Sequence, residues 1–307
     1  MLAKLTKFRI QTWNFIKLTR VPFLLGGFLL YALGAAAAAR LGVALNWGAY
    51  LLGQGMVTAT QLMAQYLNEY YDIEVDRLAP GNRTWFSGGS GILPAQGVSP
   101  AAALAAARIC AGLALVAGIP AAIISPWMIP IGLVSLLGSW FYSAPPVSLM
   151  SSGWGELTTS LIVALLVPLA GYCMQGGIPA GQLGLVAIPL VLVHAAMLIS
   201  FEFPDYGADL SVGKKTLTIR LGLHGAAWVA TACIAFAYLF VGVLTLLSKF
   251  PAAWMGWSLP LAAWQMGMIR RVMRWPTGAN YHILTTGGVG LFTLMALLAL
   301  VGFVING

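Results

Sequence analysis

The acidic side chains of this chain are gathered in two short clusters, although the sequence as a whole is strongly apolar. The chain is 60% hydrophobic and 8% charged, so it has few carboxylates for a solvated surface. Ionisable groups near a bilayer are expensive and usually face a protein interior or an aqueous cavity. Seven of the eight acidic residues form the two clusters: Glu69, Asp72, Glu74 and Asp76, then Glu202, Asp205 and Asp209. We therefore expect the clusters to be two halves of one site for a hard cation.

The first cluster has the spacing of ligands on one stripe of a helix. Asn68, Asp72 and Asp76 are four residues apart, and each such step turns a helix by about 400°, so the stripe drifts only ~40° per step. Oxygen ligands of this kind suit Mg²⁺, which is often held by one or two carboxylates plus substrate phosphates. Glu69 and Glu74 point elsewhere on that helix, where we expect supporting or solvated roles. A polar helix end at the membrane surface is the alternative.

The second cluster follows a proline. Pro204 cannot continue the hydrogen bonding of the preceding helix, so that helix is predicted to end or kink near Phe203. Asp205 and Asp209 then open a new turn four residues apart, again on one face. An ordinary surface turn is the alternative interpretation of this segment.

A faint internal repeat relates the two clusters. One offset of 133 residues places the two aspartates of the first motif on those of the second. The same offset relates Asn68 to Phe201, which offers no ligand atom. Glu202, one residue later, is the candidate to complete the second site.

The remaining sequence is typical of a membrane protein. Apolar stretches of roughly 18–25 residues recur, the length needed to cross ~30 Å of hydrocarbon. The predicted spans are 22–40, 47–68, 101–124, 127–144, 156–174, 184–203, 224–247, 252–270 and 281–305. We expect an all-α polytopic membrane protein with nine transmembrane helices in a single bundle, as two four-helix units plus one. Residues 1–307 form one domain in this interpretation, and residues 1–20 form an interfacial N-terminal segment.

The net charge of +8 fits membrane topology better than a nucleic-acid surface. Thirteen basic residues precede the first span or follow even-numbered spans, whereas the alternate loops contain only Arg40 and Lys249. By the positive-inside rule, this predicts a cytoplasmic N-terminus, an outer C-terminus and a site that opens to the cytoplasm. The expected surroundings are the lipid bilayer, with neither nucleic acid nor an obligate protein partner.

Three further features lie near the clusters. Basic side chains such as Arg77 and Lys214 suit a polyanion bridged by metal, although membrane topology alone explains them equally well. The glycine-rich segment 88–91 is either a flexible lid or a plain linker. Glu156, the one acidic residue outside the clusters, begins the fifth predicted span, and its isolation favours a role in a pocket.

These residues resemble the UbiA superfamily of intramembrane prenyltransferases. The resemblance extends in the family's order over nearly the whole chain, and a nine-helix bundle is also the fold that it implies. The motifs are Arg20-Val-Pro-Phe, Asn68-x3-Asp72-x3-Asp76, Asn82-Arg83-Thr84 leading into Ser87-Gly-Gly-Ser-Gly91, Tyr142-Ser-Ala-Pro-Pro146, Gly155-Glu156-Leu157, and Asp205-x3-Asp209 before Gly213-Lys-Lys-Thr-Leu217.

The resemblance implies an enzyme that transfers a prenyl group from an allylic polyprenyl diphosphate to an aromatic acceptor. It implies one Mg²⁺ at Asn68, Asp72 and Asp76 and a second at Asp205 and Asp209, both of which grip the diphosphate. It implies further diphosphate contacts by Lys214 and by Arg77 or Arg20. Asn68, Tyr142 and Glu202 are predicted as additional substrate contacts, Glu202 because Phe201 departs from the family's pattern.

The acceptor is predicted from two glycine-containing motifs, the Ser-Gly-Gly-Ser-Gly segment and the Asp-x3-Asp-x3-Gly-Lys-Lys-Thr segment. Their sequences resemble those of the menaquinone branch of the family. Its acceptor would be 1,4-dihydroxy-2-naphthoate. Other acceptors stay open (4-hydroxybenzoate, homogentisate, a porphyrin, a lipid glycerol), as does a terpene cyclase without an acceptor. A cation or metabolite transporter is the alternative from another class, but transporter sites tend to lie near the bilayer midplane, whereas these clusters lie at predicted span ends.

Overall fold

The structure, a computed structural model, describes residues 2–78, 83–179, 181–247 and 251–305. Asn82 and Lys249, both singled out by the sequence, lie outside these ranges. The described residues form helices joined by turns and loops. The predicted all-α class is confirmed.

Each of the nine predicted spans coincides with a helical segment. The first half of the chain contains α1 (Leu2–Leu18), α2 (Pro22–Ala39), α3 (Trp47–Tyr71), α4 (Ile73–Leu78), α5 (Pro100–Ile124) and α6 (Met128–Ser143). The second half contains α7 (Gly155–Leu161), a π-helical turn (Ile162–Leu166), α8 (Val167–Met174), α9 (Gly181–Ser211), α10 (Leu217–Leu246), α11 (Ala252–Met255), a 3₁₀ turn (Gly256–Ser258), α12 (Leu259–Arg274) and α13 (Gly278–Ile305).

Six segments of the described chain are long and apolar enough to cross a membrane. They are Pro22–Ala39, Pro100–Ile124, Gly155–Met174, Leu183–Ser211, Leu217–Leu246 and Gly278–Ile305. The other three predicted spans coincide with α3, α6 and α11–α12. Helices α6 and α12 have 16 residues each, and α3 buries polar side chains such as Gln54 and Thr60. The protein is therefore an integral membrane protein with six candidate spans, and nine crossings stay a prediction.

Helices α2 and α8 cross with their backbones in contact because glycines lie at the crossing. A Cβ atom on Gly34 would collide with the Pro168 carbonyl oxygen, and one on Gly171 would collide with the Tyr31 carbonyl oxygen. Small residues let transmembrane helices approach this closely. This contact joins the two predicted four-helix units, and buried residues from both units share one apolar core.

Helix α1 presents apolar side chains outward. Ile10, Trp13 and Ile16 are exposed, whereas Leu18 at its end is fully buried. Asn14 Nδ2 fixes the helix to the bundle by donating to the Gly97 carbonyl oxygen at 3.1 Å. An exposed apolar face suits a helix that lies on a bilayer surface, which supports the prediction of an interfacial segment.

Helix α9 continues through Pro204 to Ser211, so of the predicted end or kink near Phe203 the end does not occur. A proline removes one helical hydrogen bond, but neighbouring helices and local adjustments commonly compensate for this loss in membrane proteins. Pro204 is buried, and α9 packs against α10 and α13. Asp205 and Asp209 consequently lie within one uninterrupted helix and not in a new turn.

Candidate functional site

The two acidic clusters meet in one cavity of about 120 Å³. Pockets that hold whole drug-sized ligands usually measure ~300–1,000 Å³, so this cavity has room for a polar head group and not for a long apolar tail. Its walls are formed by Arg20, Asn68, Asp72, Val75, Asp76, Phe86, Ser87, Gly88, Gly89, Tyr142, Met150, Glu156, Leu198, Phe201, Glu202, Asp205, Asp209, Lys214 and Thr216.

The first cluster lies at a break between α3 and α4. Asp72 follows the last residue of α3 with φ −96° and ψ 7°, so the helix on which the stripe of Asn68, Asp72 and Asp76 was predicted is interrupted at its middle residue. The helical hydrogen bonds persist across the break, because the Asp72 amide donates to the Asn68 carbonyl oxygen and the Asp76 amide to the Asp72 carbonyl oxygen, both at 2.9 Å. Asn68 Nδ2 also donates to Asp72 Oδ2 at 2.7 Å. All three side chains line the cavity, and their role as metal ligands stays a prediction.

Lys214 connects the two clusters. Its Nζ atom lies 2.8 Å from Asp72 Oδ1 and 3.4 Å from Asp209 Oδ1, and its side chain is only 11% exposed. Burial alone would lower the pKa of Lys214, but the two neighbouring carboxylates raise it above its ordinary value. The ammonium group is therefore charged and holds together acids that are 137 residues apart in sequence (209 − 72).

The glycine-rich segment 88–91 forms part of the cavity wall. The Gly88 amide donates to Asp205 Oδ2 at 3.1 Å. Gly89 has φ +65°, and a Cβ atom there would collide with the Asp76 carboxylate. Arg83 holds the segment from behind, because its Nε donates to the Gly88 carbonyl oxygen at 2.7 Å. The segment therefore contacts both clusters directly, which a plain linker would not do.

A buried network beside the cavity was missed by the sequence interpretation. Glu69 is 1% exposed and accepts hydrogen bonds from the Ser90 amide at 2.7 Å and from Ser90 Oγ at 2.6 Å. Arg20 Nη1 lies 3.8 Å from Glu69 Oε1. Glu69 thereby orients a cavity cation and fixes the glycine-rich segment. Of the two roles that the sequence left open for Glu69, supporting or solvated, these contacts favour the supporting one, but its partners were not predicted. The signal for it in the sequence was only the scarcity of acidic residues.

The other predicted substrate contacts divide into two groups. Tyr142 and Glu202 line the cavity with Arg20 and Lys214. Arg77 does not: it is about half exposed and pairs with exposed Glu74 at 2.7 Å. The geometry therefore does not support the predicted substrate contact of Arg77, because its helix turns that side chain towards the surface.

The second cluster differs from the first at two positions. Phe201 lines the cavity and stacks on Phe86, with ring centroids 6.0 Å apart. One carboxylate oxygen of Glu202 is already hydrogen-bonded within the protein, since Oε2 accepts a hydrogen bond from the Thr218 amide at 3.0 Å. The position that would match Asn68 is thus apolar, and on this side Asp205 Oδ1 is a buried carboxylate oxygen without a hydrogen-bond partner.

The residues present fit a divalent cation with oxygen ligands. Asp76 Oδ2 and Asp205 Oδ1 are buried and have no hydrogen-bond partner. Burial, with the neighbouring Asp72 and Glu69 carboxylates, raises the pKa of Asp76 to about 8. Within the described residues no three acidic, histidine or cysteine side chains are grouped closely enough to hold a metal ion by themselves. Each ion would therefore be held by one or two carboxylates and completed by water or ligand oxygens, as is usual for Mg²⁺.

Comparison with known proteins identifies the family of the chain. Residues 27–282 match the model of the UbiA prenyltransferase family. A 1,4-dihydroxy-2-naphthoate octaprenyltransferase from Mycobacterium tuberculosis is 26% identical over 77% of this chain and 79% of its own. The corresponding Bacillus subtilis enzyme is 28% identical over 59% of this chain, and that match spans only 57% of the enzyme.

Solved structures show the same fold. A UbiA homolog from Archaeoglobus fulgidus bound to GPP and Mg²⁺ superposes with a TM-score of 0.65 at 19% identity, over 91% of this chain and 99% of that one. A UbiA homolog from Aeropyrum pernix K1 gives 0.63 at 15% identity, over 91% and 98%. The expected resemblance is confirmed: the chain belongs to the UbiA prenyltransferase family.

Proposed function

We propose that this protein transfers a prenyl group from an allylic prenyl diphosphate to an aromatic acceptor. The observation that carries the proposal is the cavity in which two acidic clusters face each other with the cations Lys214 and Arg20 between and beside them. Metal-binding carboxylates together with fixed cations suit a diphosphate. The Archaeoglobus fulgidus homolog, which was solved with GPP and with DMAPP in the presence of Mg²⁺, supports the same ligand class.

The acidic residues are proposed to hold the metal. Asn68, Asp72 and Asp76 would hold one Mg²⁺, and Asp205 and Asp209 would hold a second. Bound Mg²⁺ would supply Lewis-acid stabilisation of the negative charge that develops on the departing diphosphate. Glu202 is not needed as a ligand in this arrangement, because the fold already engages it.

The cations and the aromatic wall act on opposite ends of the substrate. Lys214 and Arg20 would attract the diphosphate oxygens and stabilise them as the bond from oxygen to the allylic carbon breaks and its electron pair leaves with the diphosphate. The rings of Phe86 and Phe201, stacked at the cavity wall, would face the allylic carbon and exclude water from it. A ring carbon of the acceptor then forms the new carbon–carbon bond and loses its proton.

The prenyl tail would extend out of the cavity, whose volume accommodates only a head group. Apolar side chains continue along α9 from the cavity, where Leu198 is part of the wall. We propose that the tail lies against the bundle and the lipid, and that the cavity opens on the side of the basic loops, which is cytoplasmic by the positive-inside rule.

The preferred acceptor in this proposal is 1,4-dihydroxy-2-naphthoate. The Bacillus subtilis and Mycobacterium tuberculosis relatives carry that activity in their names. A digeranylgeranylglyceryl phosphate synthase from Pyrococcus abyssi is also 26% identical over 60% of this chain. Relatives with different acceptors therefore match at similar identity. Support for the naphthoate comes from the two glycine-containing motifs together with the names of these two relatives.

The test is prenyl transfer by the purified protein in detergent. Labelled geranylgeranyl diphosphate and Mg²⁺ are supplied with or without 1,4-dihydroxy-2-naphthoate, alongside Asp72→Asn. We expect an acceptor-dependent prenylated product that disappears with EDTA, returns with Mg²⁺ and is absent in the variant, because Asn keeps the volume of Asp72 but not its charge. Hydrocarbon formed without acceptor would favour a cyclase. Intact diphosphate with every acceptor tried would contradict the proposal.

A further inference from the structure

Helix α3 carries a polar stripe from its N-cap to its C-cap, and the proposed function uses only the end of the stripe that lies at the cavity. The stripe consists of Asn46, Tyr50, Gln54, Thr58, Gln61, Gln65, Asn68 and Asp72. These residues are three or four apart, and the 26 positions from first to last (72 − 46) correspond to about seven helical turns with a drift of only ~80°. The polar stripe therefore follows one face of α3 from the cavity into the apolar bundle.

The polar stripe contains buried oxygen atoms that have no hydrogen-bond partner among the described residues. They are the Oε1 atoms of Gln54, Gln61 and Gln65. The hydroxyl oxygen of Tyr31, on the neighbouring helix α2, is buried and unpartnered as well. Nearly all buried polar atoms in proteins are hydrogen-bonded, either to the protein or to ordered water. These four atoms therefore indicate a bound hydrogen-bond donor.

Glycines on both helices make room for polar groups between α2 and α3. A Cβ atom on Gly27 of α2 would collide with Gln61 Oε1, and one on Gly53 of α3 would collide with the Tyr31 hydroxyl. Helix α2 does not supply the missing donors, since Tyr31 is the only side chain of Pro22–Ala39 with a hydrogen-bond donor. Lipid tails supply none either. Hydrogen bonds between helices, the usual role of polar side chains in membrane bundles, therefore do not account for these atoms.

We propose that a chain of bound water molecules lies between α2 and α3, from the cavity at Asn68 to the Tyr31 hydroxyl. Water donates to carboxamide and hydroxyl oxygens, and a buried water typically joins about three otherwise unsatisfied polar groups. One water with two hydrogen bonds of about 2.8 Å spans up to ~5.6 Å. Neighbouring side chains of the polar stripe are about 4.5–6 Å apart along the helix axis, so about one water per step connects them. Gln54 Nε2 donates directly to Thr58 Oγ1 at 3.1 Å and continues the hydrogen bonding at the deep end.

The two ends of the water chain differ. At one end Asn68 and Asp72 line the cavity. At the other end the Tyr31 ring packs edge-on against Tyr50 with centroids 5.1 Å apart, and Tyr50 packs against Trp47 at 5.6 Å. These rings close the interface, so the water chain opens to the cavity and does not cross the bilayer.

The water chain would serve the metal site proposed at Asn68 and Asp72. Mg²⁺ is usually bound by one or two carboxylates, substrate phosphates and several waters. The chain gives such waters a path on the bundle side of the cavity. It also satisfies the polar face of α3, which is costly to place in a bilayer without partners.

The first test detects bound water in the wild-type protein. X-ray pulses convert water into hydroxyl radicals, which oxidise the side chains in contact with it, and mass spectrometry of peptides locates the oxidation. Tyr31 and Met63 are both fully buried, but Met63 lies on the opposite face of α3 in an apolar cluster. We expect Tyr31 to be oxidised at least about ten-fold faster than Met63, although methionine is the more reactive side chain, because an apolar core holds no water.

The same measurement on two variants tests whether the polar stripe holds the water. Gln61→Leu removes the acceptor and keeps a side chain of similar size. It should reduce the oxidation of Tyr31 at least about three-fold, because a buried water needs two to four polar partners. Gln11→Leu is the matched control, since Gln11 is exposed on α1, and it should leave the rate at Tyr31 unchanged.

The opening of the water chain is tested with single cysteines in a protein whose three native cysteines are replaced by alanine. Ag⁺, which is small enough to follow water, reacts with the thiolate, and the thiolate forms in water and not in apolar surroundings. Gln65→Cys should react fastest, followed by Gln61→Cys and then Gln54→Cys. The control is Gly55→Cys, because Gly55 is exposed on the outer side of α3. It would face lipid and should react at least about ten-fold more slowly than Gln61→Cys.

Four results would overturn the inference. Equal oxidation of Tyr31 and Met63 would show that the interface is dry, and an unchanged rate at Tyr31 in Gln61→Leu would show that the stripe does not hold the water. Equal reactivity of Gly55→Cys and Gln61→Cys, or fastest reaction of Gln54→Cys, would contradict an opening at the cavity. Should Gln61→Leu elute as aggregate, the wild-type comparison and the cysteine series decide. None of these measurements needs turnover, so a failure of prenyl transfer would contradict the proposed function separately.

Discussion

Lys214 offers a direct test of how the two clusters are held together before any ligand binds. Its ammonium group is the only fixed positive charge seen within 4 Å of Asp72 or Asp209 among the described residues. We consider replacing it by methionine, which keeps much of the apolar stem and removes the charge. The neighbouring Lys215→Met is a matched control, because Lys215 is exposed and makes no such ion pair among the described residues.

The magnitude follows from the two distances. At an effective dielectric constant of ~20, charges 2.8 Å apart attract by about 6 kcal/mol and charges 3.4 Å apart by about 5 kcal/mol. The desolvation of the buried ions offsets much of this sum, and removal of one partner from a buried pair typically costs about 3–5 kcal/mol. For a chain of this size that loss lowers the melting temperature by roughly 5–10 °C.

The loss should depend on Mg²⁺. Without Lys214 the two aspartates repel each other and provide a stronger site for a cation, so bound Mg²⁺ would replace part of the missing attraction. A ligand at about 100 times its dissociation constant adds roughly 2.7 kcal/mol to the stability of the folded state. We therefore expect Mg²⁺ to raise the melting temperature of Lys214→Met by more than it raises that of the wild type.

The assay is thermal unfolding in detergent, followed by tryptophan fluorescence in EDTA and in Mg²⁺, for wild type, Lys214→Met and Lys215→Met. Prenyl transfer should also fall at least ten-fold in Lys214→Met, because the diphosphate loses a fixed cation. The reasoning would be refuted if Lys214→Met and Lys215→Met melted together in EDTA. It would also be refuted if Mg²⁺ stabilised Lys214→Met no more than the wild type.

Three further predictions follow from the cavity wall and the topology. Gly89→Ala should reduce prenyl transfer at least ten-fold and raise the Mg²⁺ requirement, since the new Cβ collides with Asp76 at a positive φ; Gly26→Ala, where a Cβ meets nothing within 4 Å, is the control and should stay within two-fold. Arg77→Gln should retain at least half of the prenyl-transfer activity, because Arg77 pairs with Glu74 outside the cavity. A ten-fold loss of activity would instead support the predicted contact between Arg77 and the substrate. Reporter tags on the two chain ends should lie on opposite sides of the membrane if the chain crosses nine times, and an even number of crossings would place both tags on one side.

Much of the site was predictable because acidic side chains are costly to place in a membrane protein and therefore concentrate where a polar cavity accommodates them. The sequence places its few carboxylates in two clusters, and the structure brings both clusters to one cavity. Its lining includes Asp72, Asp76, Asp205 and Asp209. Helix positions were predictable from the apolar segments. A run of apolar residues long enough to cross hydrocarbon is a strong local signal, and each predicted span coincides with a helical segment.

What could not be predicted depends on contacts between distant segments. Nothing local to Glu69 indicates that it accepts two hydrogen bonds from Ser90, and nothing local to Arg77 indicates that it turns outward. Proline at position 204 is a helix breaker by propensity, yet packing of α9 against two neighbours keeps the helix intact. In each case contacts between segments that are distant in sequence decided the outcome.

The internal repeat has a narrower meaning than its offset of 133 residues indicated. The first pair of aspartates lies across a helix break, with Asp72 between α3 and α4, whereas Asp205 and Asp209 lie within the uninterrupted α9. The backbone conformation therefore does not repeat in the two halves, but the four-residue spacing of the aspartates does. The spacing places both aspartates of the first pair on one stripe because backbone hydrogen bonds between residues four apart persist across the break. What the two halves share is a pair of carboxylates presented on one helical stripe. A site that needs two such pairs to face a single anion constrains that spacing and leaves the surrounding helices free to differ.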